Sequence, residues 1–337
     1  MKIEDVVLEQ EKEDVKNFLR RFSLAYDADI DESIVLREDT KMIGTASVSG
    51  NIIKCVAVDP AFQGENVLAT LVSELLRRLR ARQIHHVFVY TIDEHAPRFK
   101  ALGFKLIVQT MTTALLEMGG NIEETLQQLK ITYQLSDHPK GCVVVNANPM
   151  TNGHLHLIKT AAKMHQETVV FVVSEDRSIF PFKSRFAIVS EACRDIAGVT
   201  VVPTGDYLVS AATFPKYFLK SEMRIHEEHA LIDVLIFKAY YMKQLNISHR
   251  YMGEEPLSPM TSVYNKTMKK YLNSQCQIVP RLMHGPQPIS ASTVRKLLKH
   301  NGLEAIRAYV PDATYAYLKT PQGEAIIKRL KSHESRH

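Results

Sequence analysis

The residues best placed to do chemistry follow the apolar run CVVV and read NANPMTNGH, residues 146–154. Thr151 and Asn152 are capping candidates for a helix that begins near Gly153. The free N–H groups and positive dipole end of such a helix favour an anion, and Gly153 lets a phosphate approach the main chain closely. His154, in the first turn, can place an imidazole N–H against that phosphate. His156 lies about 200° further around the helix and is expected to be structural or peripheral.

A second stretch, ISASTVRKLLK at residues 289–299, offers a similar helix start. Ser290, Ser292 and Thr293 stand where the predicted helix begins, and Arg295 lies in its first turn. Hydroxyls, free amides and a guanidinium gathered at one helix start can clamp a di- or triphosphate. Each stretch taken alone is also compatible with a routine capped helix whose His or Arg faces solvent. The functional interpretation therefore requires both segments to converge on the charged tail of one nucleotide.

The elements that must position these residues alternate regularly after about residue 140. Five buried-looking strands are separated by helical stretches, and they read CVVVN, TVVFVV, VTVVP, RYMG and CQIVP. Continuous apolar strands alternating with helices predict a parallel, doubly wound α/β sheet. Such sheets bind ligands at the carboxyl ends of their strands, near helix N-termini, which is where residues 146–154 fall.

The first part of the chain has a different pattern. A helix near residues 10–25, short strands up to residue 58 and a longer helix with a leucine-rich stripe precede a further strand, helix and strand. EMGGN at 117–121 is a linker signal. We expect an α+β domain over 1–117, a linker over 118–140 and a catalytic domain over 141–337.

Composition narrows the class of protein. A chain of 337 residues exceeds the usual size of a single core, and 45% hydrophobic with 23% charged residues is typical of a globular protein. The net charge of +5 is spread along the chain, so neither nucleic acid nor membrane is an expected partner, whereas a phosphate or an acidic carrier is compatible. The four cysteines lie far apart without metal-binding spacing, and no leader or membrane span is recognised, which predicts a cytoplasmic location and no protein-held metal.

The two helix-start stretches, 146–154 and 289–299, resemble the signatures of the nucleotidyltransferase superfamily. T-x-G-H stands as Thr151 to His154, and I-S-x-S-T-x-x-R stands as Ile289 to Arg295, in the expected order. The resemblance implies that the domain binds ATP and that a nucleophile attacks the α-phosphate, with release of pyrophosphate. Positive groups at the two helix starts would stabilise charge on that phosphate and on the leaving group.

The first domain resembles the GNAT acetyltransferase fold. VAVDPAFQGENVLATLV at 56–72 and RFKALGF at 98–104 are similar to its acyl-CoA-binding strand and helix and its late turn. The pyrophosphate loop of that fold reads Q/R-x-x-G-x-G/A, but Asn66 and Leu68 follow Gln63 where the small residues belong. Without those glycines the approach to a pyrophosphate should be crowded. We expect a degenerate domain that binds a carrier arm or another subunit.

The order of these two domains is similar to that of the citrate lyase ligase family. SEDRSIFPFKSRF at 174–186, SAATFPKYF at 210–218 and RYMGEEPLSPMTSVYN at 250–265 are further segments of that resemblance. It implies that acetate and ATP form acetyl-adenylate and pyrophosphate. The acetyl group then passes to the thiol of the dephospho-CoA-derived arm on the acyl carrier subunit of citrate lyase, which releases AMP.

The same resemblance suggests a division of roles. His154 and nearby amides are expected to hold the α-phosphate, the hydroxyls of 290–293 with Arg295 the β- and γ-phosphates, and Mg²⁺ to bridge phosphate oxygens, with Thr151 a further catalytic candidate. Further nucleotide or acyl contacts are expected from Asn146, Asn148, Gly153, Ser290, Ser292, Thr293, Lys183, Arg185, Gly253, Glu254 and Glu255.

Two other functions remain open. One is an adenylyltransferase that transfers AMP to a phosphopantetheine or to nicotinamide mononucleotide, which free AMP among the products would exclude. The other is a non-catalytic docking protein that recognises an acyl carrier through both domains, which would not need two phosphate clamps.

Overall fold

The computed structural model describes residues 1–64, 66–208, 222–254 and 259–332. The described residues form two compact units. Residues 1–122 and 222–232 belong to the first, and residues 123–208 and 233–332 to the second. The SAATFPKYF segment and Glu255 lie outside the described residues. Within the described part of the chain, every helix is too short or too polar to cross a bilayer.

Seven strands and three helices make up most of the first unit. They are β1 (Lys2–Asp5), α1 (Glu9–Arg20), β2 (Glu32–Glu38), β3 (Lys41–Ser49), β4 (Ile52–Val58), α2 (Val67–Ala81), β5 (Val87–Ile92), α3 (Ala96–Ala101), β6 (Lys105–Gln109) and β7 (Thr113–Met118). The strands form one sheet in the order β1-β2-β3-β4-β5-β7-β6. Neighbouring strands are antiparallel except β4 and β5, which are parallel.

Helix α2 covers one face of this sheet with the stripe that the sequence predicts. Because these side chains recur every three or four residues, they share one face of the helix. They pack in a core with β2, β3, β4 and β5, and the buried members are Val67, Leu71, Val72, Leu75, Leu76 and Leu79.

The second unit alternates strands and helices. Its elements are α4 (Ile122–Thr132), β8 (Lys140–Val145), α5 (Asn152–Met164), β9 (Thr168–Val172), α6 (Phe182–Cys193), β10 (Val199–Pro203), α7 (Glu222–Ile236), α8 (Met242–Gln244), β11 (Ile247–Gly253), α9 (Pro259–Leu272), β12 (Cys276–Val279), β13 (Met283–His284), β14 (Gln287–Pro288), α10 (Ala291–His300), α11 (Asp312–Leu318) and α12 (Pro321–Ser332). Helix α4 begins at the unit boundary, and α7 continues from the first unit into the second.

Five of these strands form a sheet in the order β10-β9-β8-β11-β12, and every neighbouring pair is parallel. The predicted parallel, doubly wound sheet is confirmed. The strand order reverses between β8 and β11, so the carboxyl ends of these two strands flank a topological switch point, where such folds bind ligands. Residues 146–154 follow β8, and Gly253 ends β11.

Helices α5 and α10, which begin at the two candidate phosphate-binding stretches, share one hydrophobic core. Val143 and Val145 of β8 pack in the same cluster as Ile158 of α5 and Val294 and Leu298 of α10. Burial of this apolar surface therefore holds both helices against the same face of the sheet.

Candidate active site

The first helix start is built around Thr151. It is the N-cap of α5, and its hydroxyl accepts a hydrogen bond from the N–H of His154 at 3.4 Å. Asn152 is tied elsewhere, because its N–H donates to the carbonyl of Tyr309 at 2.8 Å and its side chain donates to the carbonyl of Ala308 at 3.0 Å. No hydrogen bond from the Gly153 N–H occurs within the described residues. That amide is therefore available to an anion.

The imidazole of His154 has a defined tautomer. Its Nδ1 accepts a hydrogen bond from the N–H of Thr151 at 3.0 Å and lies 2.9 Å from the hydroxyl of the same residue. A backbone N–H can only donate, so Nδ1 is unprotonated and the neutral ring carries its proton on Nε2. Burial, together with the positive charge of Arg281, lowers the pKa of His154 to about 4. At neutral pH the ring is therefore an uncharged Nε2–H donor.

The second helix start is capped by Ser290. Its hydroxyl accepts from the N–H of Thr293 at 3.1 Å and lies 2.9 Å from the Ser292 hydroxyl and 2.8 Å from that of Thr293. The N–H groups of Ala291 and Ser292 donate no hydrogen bond within the described residues. This helix start accordingly presents free amides and clustered hydroxyls together.

The two starts, far apart in the chain, touch in space. A Cβ on Gly153 would stand 3.4 Å from the carbonyl oxygen of Ile289. The Nη1 of Arg295 donates to the carbonyl of Asn148 at 2.5 Å. Burial lowers the pKa of Arg295, and this is the one hydrogen bond that its guanidinium makes within the described residues. Its remaining donors can contact a ligand beside Gly153.

The segment after β9 is braced by Asn146, Asn148 and Arg185. The Asn146 side chain donates to the hydroxyl of Ser178 at 3.3 Å, and Asn148 Oδ1 accepts from the N–H of Phe180 at 3.1 Å. Both asparagines thus use side-chain atoms to hold residues 178–180. Their expected contacts with phosphate or acetate stay a prediction.

Arg185 is fully buried, and all three guanidinium nitrogens make hydrogen bonds. Their acceptors are the side chain of Asn146 at 3.0 Å and the carbonyl oxygens of Asn146 (3.0 Å), Val173 (2.7 Å), Phe180 (2.9 Å) and Glu175. The guanidinium therefore satisfies the carboxyl ends of β8 and β9, whereas sequence reasoning expected it to face a nucleotide. Lys183, two residues earlier in α6, is exposed.

The carboxyl ends of β11 and β12 contribute a residue that sequence reasoning missed. Arg281 Nε donates to the carbonyl of Glu254 at 2.7 Å, and the Glu254 N–H donates to the carbonyl of Val279 at 2.8 Å. Gly253 accepts at its carbonyl from the side chain of Asn265 at 3.0 Å. The position of Arg281, just beyond the strand CQIVP, is the sequence signal that could have found it, because carboxyl ends of parallel strands line the site.

Metal-binding groups are sparse. Within the described ranges, no three His, Cys, Asp or Glu side chains are grouped so that they could hold a metal ion. The free amides, the Nε2–H of His154 and the guanidinium of Arg295 fit a polyphosphate.

The first unit holds a separate cavity of about 630 Å³. It opens where β4 and β5 separate beyond their paired residues 52–53 and 88–89, and it is lined mainly by apolar side chains. Asn66 caps α2 in the left-handed conformation, with φ of 59°, and Leu68 lines the cavity. The chain thus keeps a left-handed turn without a glycine, because asparagine tolerates that conformation. A carrier arm as its ligand stays a prediction.

Known proteins resemble both parts of the chain. Residues 140–318 match the family model described as the citrate lyase ligase C-terminal domain. A citrate (pro-3S)-lyase ligase from Escherichia coli strain K12 is 35% identical over 317 residues, which cover 91% of this chain and 90% of that protein. A phosphopantetheine adenylyltransferase from Campylobacter curvus strain 525.92 is 28% identical over 174 residues, covering 51% of this chain and 92% of the relative.

Among solved structures, the ribosomal-protein-S18-alanine N-acetyltransferase from Escherichia coli aligns with 35% of this chain and 92% of its own, at 14% identity and a TM-score of 0.30.

Proposed function

This chain belongs to the citrate lyase ligase family and is an enzyme, and on that basis we propose that it activates acetate with ATP and acetylates citrate lyase. Acetate attacks the α-phosphorus of ATP, so that an acyl C–O–P bond forms, the bond to the β-phosphate breaks and pyrophosphate leaves. The observation that carries this proposal is the contact between the two phosphate-binding helix starts at Gly153 and Ile289.

Charge is the main obstacle to the first step, since an acetate anion must approach an anionic triphosphate. In the proposed arrangement the Gly153 amide and the Nε2–H of His154 contact the α-phosphate, while α10 and Arg295 contact the β- and γ-phosphates. These groups are held before the nucleotide binds, so little reorganisation is needed as charge shifts to pyrophosphate. Mg²⁺ between the phosphate oxygens would neutralise further charge. In addition to Arg295 and Mg²⁺, Arg281 places a third positive charge in the site, near His154.

Arg185 has a supporting role in this proposal. Its hydrogen bonds hold Asn146 and the segment 173–180 at the carboxyl ends of β8 and β9. Lys183, Gly253 and Glu254 remain proposed contacts with the nucleotide or the acyl group.

The second step needs no protein nucleophile. All four cysteines are buried, and burial raises the pKa of Cys55, Cys142 and Cys193 to about 12. A thiol with so high a pKa supplies almost no thiolate at neutral pH. We therefore propose that the thiol of the carrier arm attacks the acetyl carbon directly. A thioester forms, the acyl phosphate bond breaks, AMP leaves and the thiol proton passes to solvent.

An adenylyltransferase is the second candidate, because the Campylobacter relative aligns over nearly its whole length with half of this chain. The two candidates differ in products. A ligase yields free AMP, whereas an adenylyltransferase leaves AMP on its acceptor.

The test is to incubate the protein with ATP, Mg²⁺, acetate and thiol-form citrate lyase. We expect free AMP, pyrophosphate and regained lyase activity in proportion to one another. Omission of acetate should abolish all three. AMP bound covalently to the carrier, with no recovery of lyase activity, would support the adenylyltransferase. Absence of any nucleotide turnover would support a non-catalytic docking protein.

A further inference from the structure

A groove on the outer side of the second unit has no place in the reaction described above. It has a volume of about 740 Å³ and lies between the last turns of α9 and the edge strand β12. One wall carries Lys266, Lys269, Lys270 and Asn273, and the other carries Ser274, Cys276, Gln277 and Ile278. Lys266, Lys269 and Lys270 are spaced i, i+3 and i+4 on α9, so they share one face of the helix, and Asn273 follows the helix end. The opposite face buries Met268 and Leu272.

The three lysines are exposed, and none forms an ion pair within the part of the chain that the structure describes. Lys270 does lie over the ring of Tyr271, with 5.4 Å between its Nζ and the ring centroid. Lys238 is a further exposed cation. It lies next to the end of α9, where its Nζ donates to the carbonyl of Tyr271 at 3.1 Å. Like charges three and four residues apart on one helix repel each other and destabilise the helix. Within the described residues, no acidic side chain offsets this repulsion by pairing with the three lysines.

The arginines of α2 show the opposite arrangement. Arg77 and Arg78 both bind Glu74, Arg78 also binds Asp5 and Glu32, and Arg82 binds Glu32. Arg77, Arg78 and Arg82 are thus paired with carboxylates of their own chain, whereas the lysines of α9 are not. The interaction of cations with a helix C-terminus explains Lys269 and Lys270 in the last turn of α9. It does not explain Lys266 or the groove beside it.

We propose that this groove, defined by Lys266, Lys269, Lys270 and the edge of β12, docks an acidic segment of the acyl carrier subunit of citrate lyase. Complementary charge would speed encounter and orient the partner. β12 is the last strand of its sheet, so its outer edge offers backbone groups to a bound segment. This inference rests on the proposed function for the identity of the partner.

The position of the groove suits delivery of a flexible arm. It lies at the amino end of β12, whereas the candidate active site lies at the carboxyl ends of the strands. The four residues of β12 span about 10 Å at about 3.3 Å per residue, and β8, which leads to Gly153, is two strands away at about 4.8 Å per strand. A carrier docked in the groove therefore leaves the catalytic edge open, and its arm needs to span about 14 Å within the sheet.

The test compares two triple variants with the wild type. In one, Lys266, Lys269 and Lys270 are all changed to Glu, and in the other to Gln. A matched control changes the exposed Lys159, Lys163 and Lys328 to Glu, which alters the net charge by the same amount. Two quantities are measured: the Kd for thiol-form citrate lyase by surface binding, and acetate-dependent exchange of pyrophosphate into ATP, which needs no carrier.

We expect the Kd to rise about tenfold in the Glu variant and about threefold in the Gln variant, while exchange and the control Kd stay unchanged. The Kd of the wild type should also rise with salt, and that of the Glu variant should not. An unchanged Kd in both variants, or an equal rise in the control, would overturn the proposal. Nucleic acid is the other polyanion that a lysine-lined groove could bind, so binding of duplex RNA is measured as well. Loss of RNA binding in the Glu variant, with lyase binding intact, would also overturn the proposal. If the wild type binds lyase through the groove but catalyses no exchange, the proposed function fails and the docking site stands.

Discussion

His154 offers the sharpest test because its two ring nitrogens have separate tasks. Nδ1 accepts the hydrogen bond of Thr151 N–H and so supports the helix cap, while Nε2–H is the proposed donor to the α-phosphate. An asparagine can place its oxygen near the position of Nδ1 but has no atom at Nε2. A glutamine can place its amide nitrogen near Nε2 but leaves Nδ1 unreplaced. The pair of variants therefore separates the structural from the catalytic contribution.

The expected magnitudes differ in the same way. Loss of one positioned donor to developing charge lowers the rate about 10²–10³-fold, or about 2.7–4 kcal/mol. Loss of a capping interaction costs about 1 kcal/mol of stability. His154→Asn should thus fold with wild-type stability and lose at least about 100-fold in rate. His154→Gln should be less stable by about 1 kcal/mol and keep more of the activity, and His154→Ala should show both losses.

The assay is acetate-dependent pyrophosphate exchange at saturating ATP, with urea unfolding of each variant measured alongside. The substitutions should change the rate of exchange and leave the affinity for acetate unchanged. Exchange by His154→Asn within about threefold of the wild type would refute the assignment of Nε2–H. Equal losses of stability in the Asn and Ala variants would refute the capping role of Nδ1.

Three further outcomes are expected. The pKa of His154 is about 4 in the native protein and 6.5 in the unfolded chain, so the unfolded state binds more protons between these values. The contribution of His154 to stability is therefore full above pH 6.5 and is lost as the pH falls towards 4. Between pH 7.5 and 5 the loss is about 2 kcal/mol. Urea unfolding at the two pH values should show a loss that is about 2 kcal/mol larger in the wild type than in His154→Asn, because His95 and His165, whose pKa values are also lowered, are common to both proteins. Gly153→Ala should be at least as stable as the wild type, because its methyl group meets the Ile289 carbonyl at 3.4 Å and alanine favours a helix over glycine by about 1 kcal/mol. The rate of exchange should nevertheless fall, because the methyl group stands between the two helix starts. An undiminished rate of exchange would argue against phosphate binding there. Arg185→Lys replaces a guanidinium that makes five hydrogen bonds with a group that has three donors, so the free energy of unfolding should fall by about 2 kcal/mol, and a wild-type urea midpoint would contradict the buried network.

Local physical rules explain why much of the second unit is predictable from sequence. Short apolar runs bounded by turn residues are long enough for strands and too short for buried helices, and the five predicted strands are present in a parallel sheet. Caps act within three or four residues, so Thr151 and Ser290 were recognisable as helix starts. The roles of Lys183 and Arg185 were not separated, although two helical residues point about 200° apart, as His154 and His156 do.

The sequence by itself determined the order of strands and helices, the two capped helix starts and the family to which the chain belongs, because these depend on residue types close together in the chain. Only the tertiary structure decided that Gly153 lies against Ile289, that Arg295 reaches the carbonyl of Asn148 and that Arg185 faces inward. The crossover connections of the sheet bring these distant residues together, and no local spacing records which partners result. The charge of His154 belongs to the same class, since burial and Arg281 lower its pKa, whereas the nearby N–H of Thr151 decides which ring nitrogen is protonated.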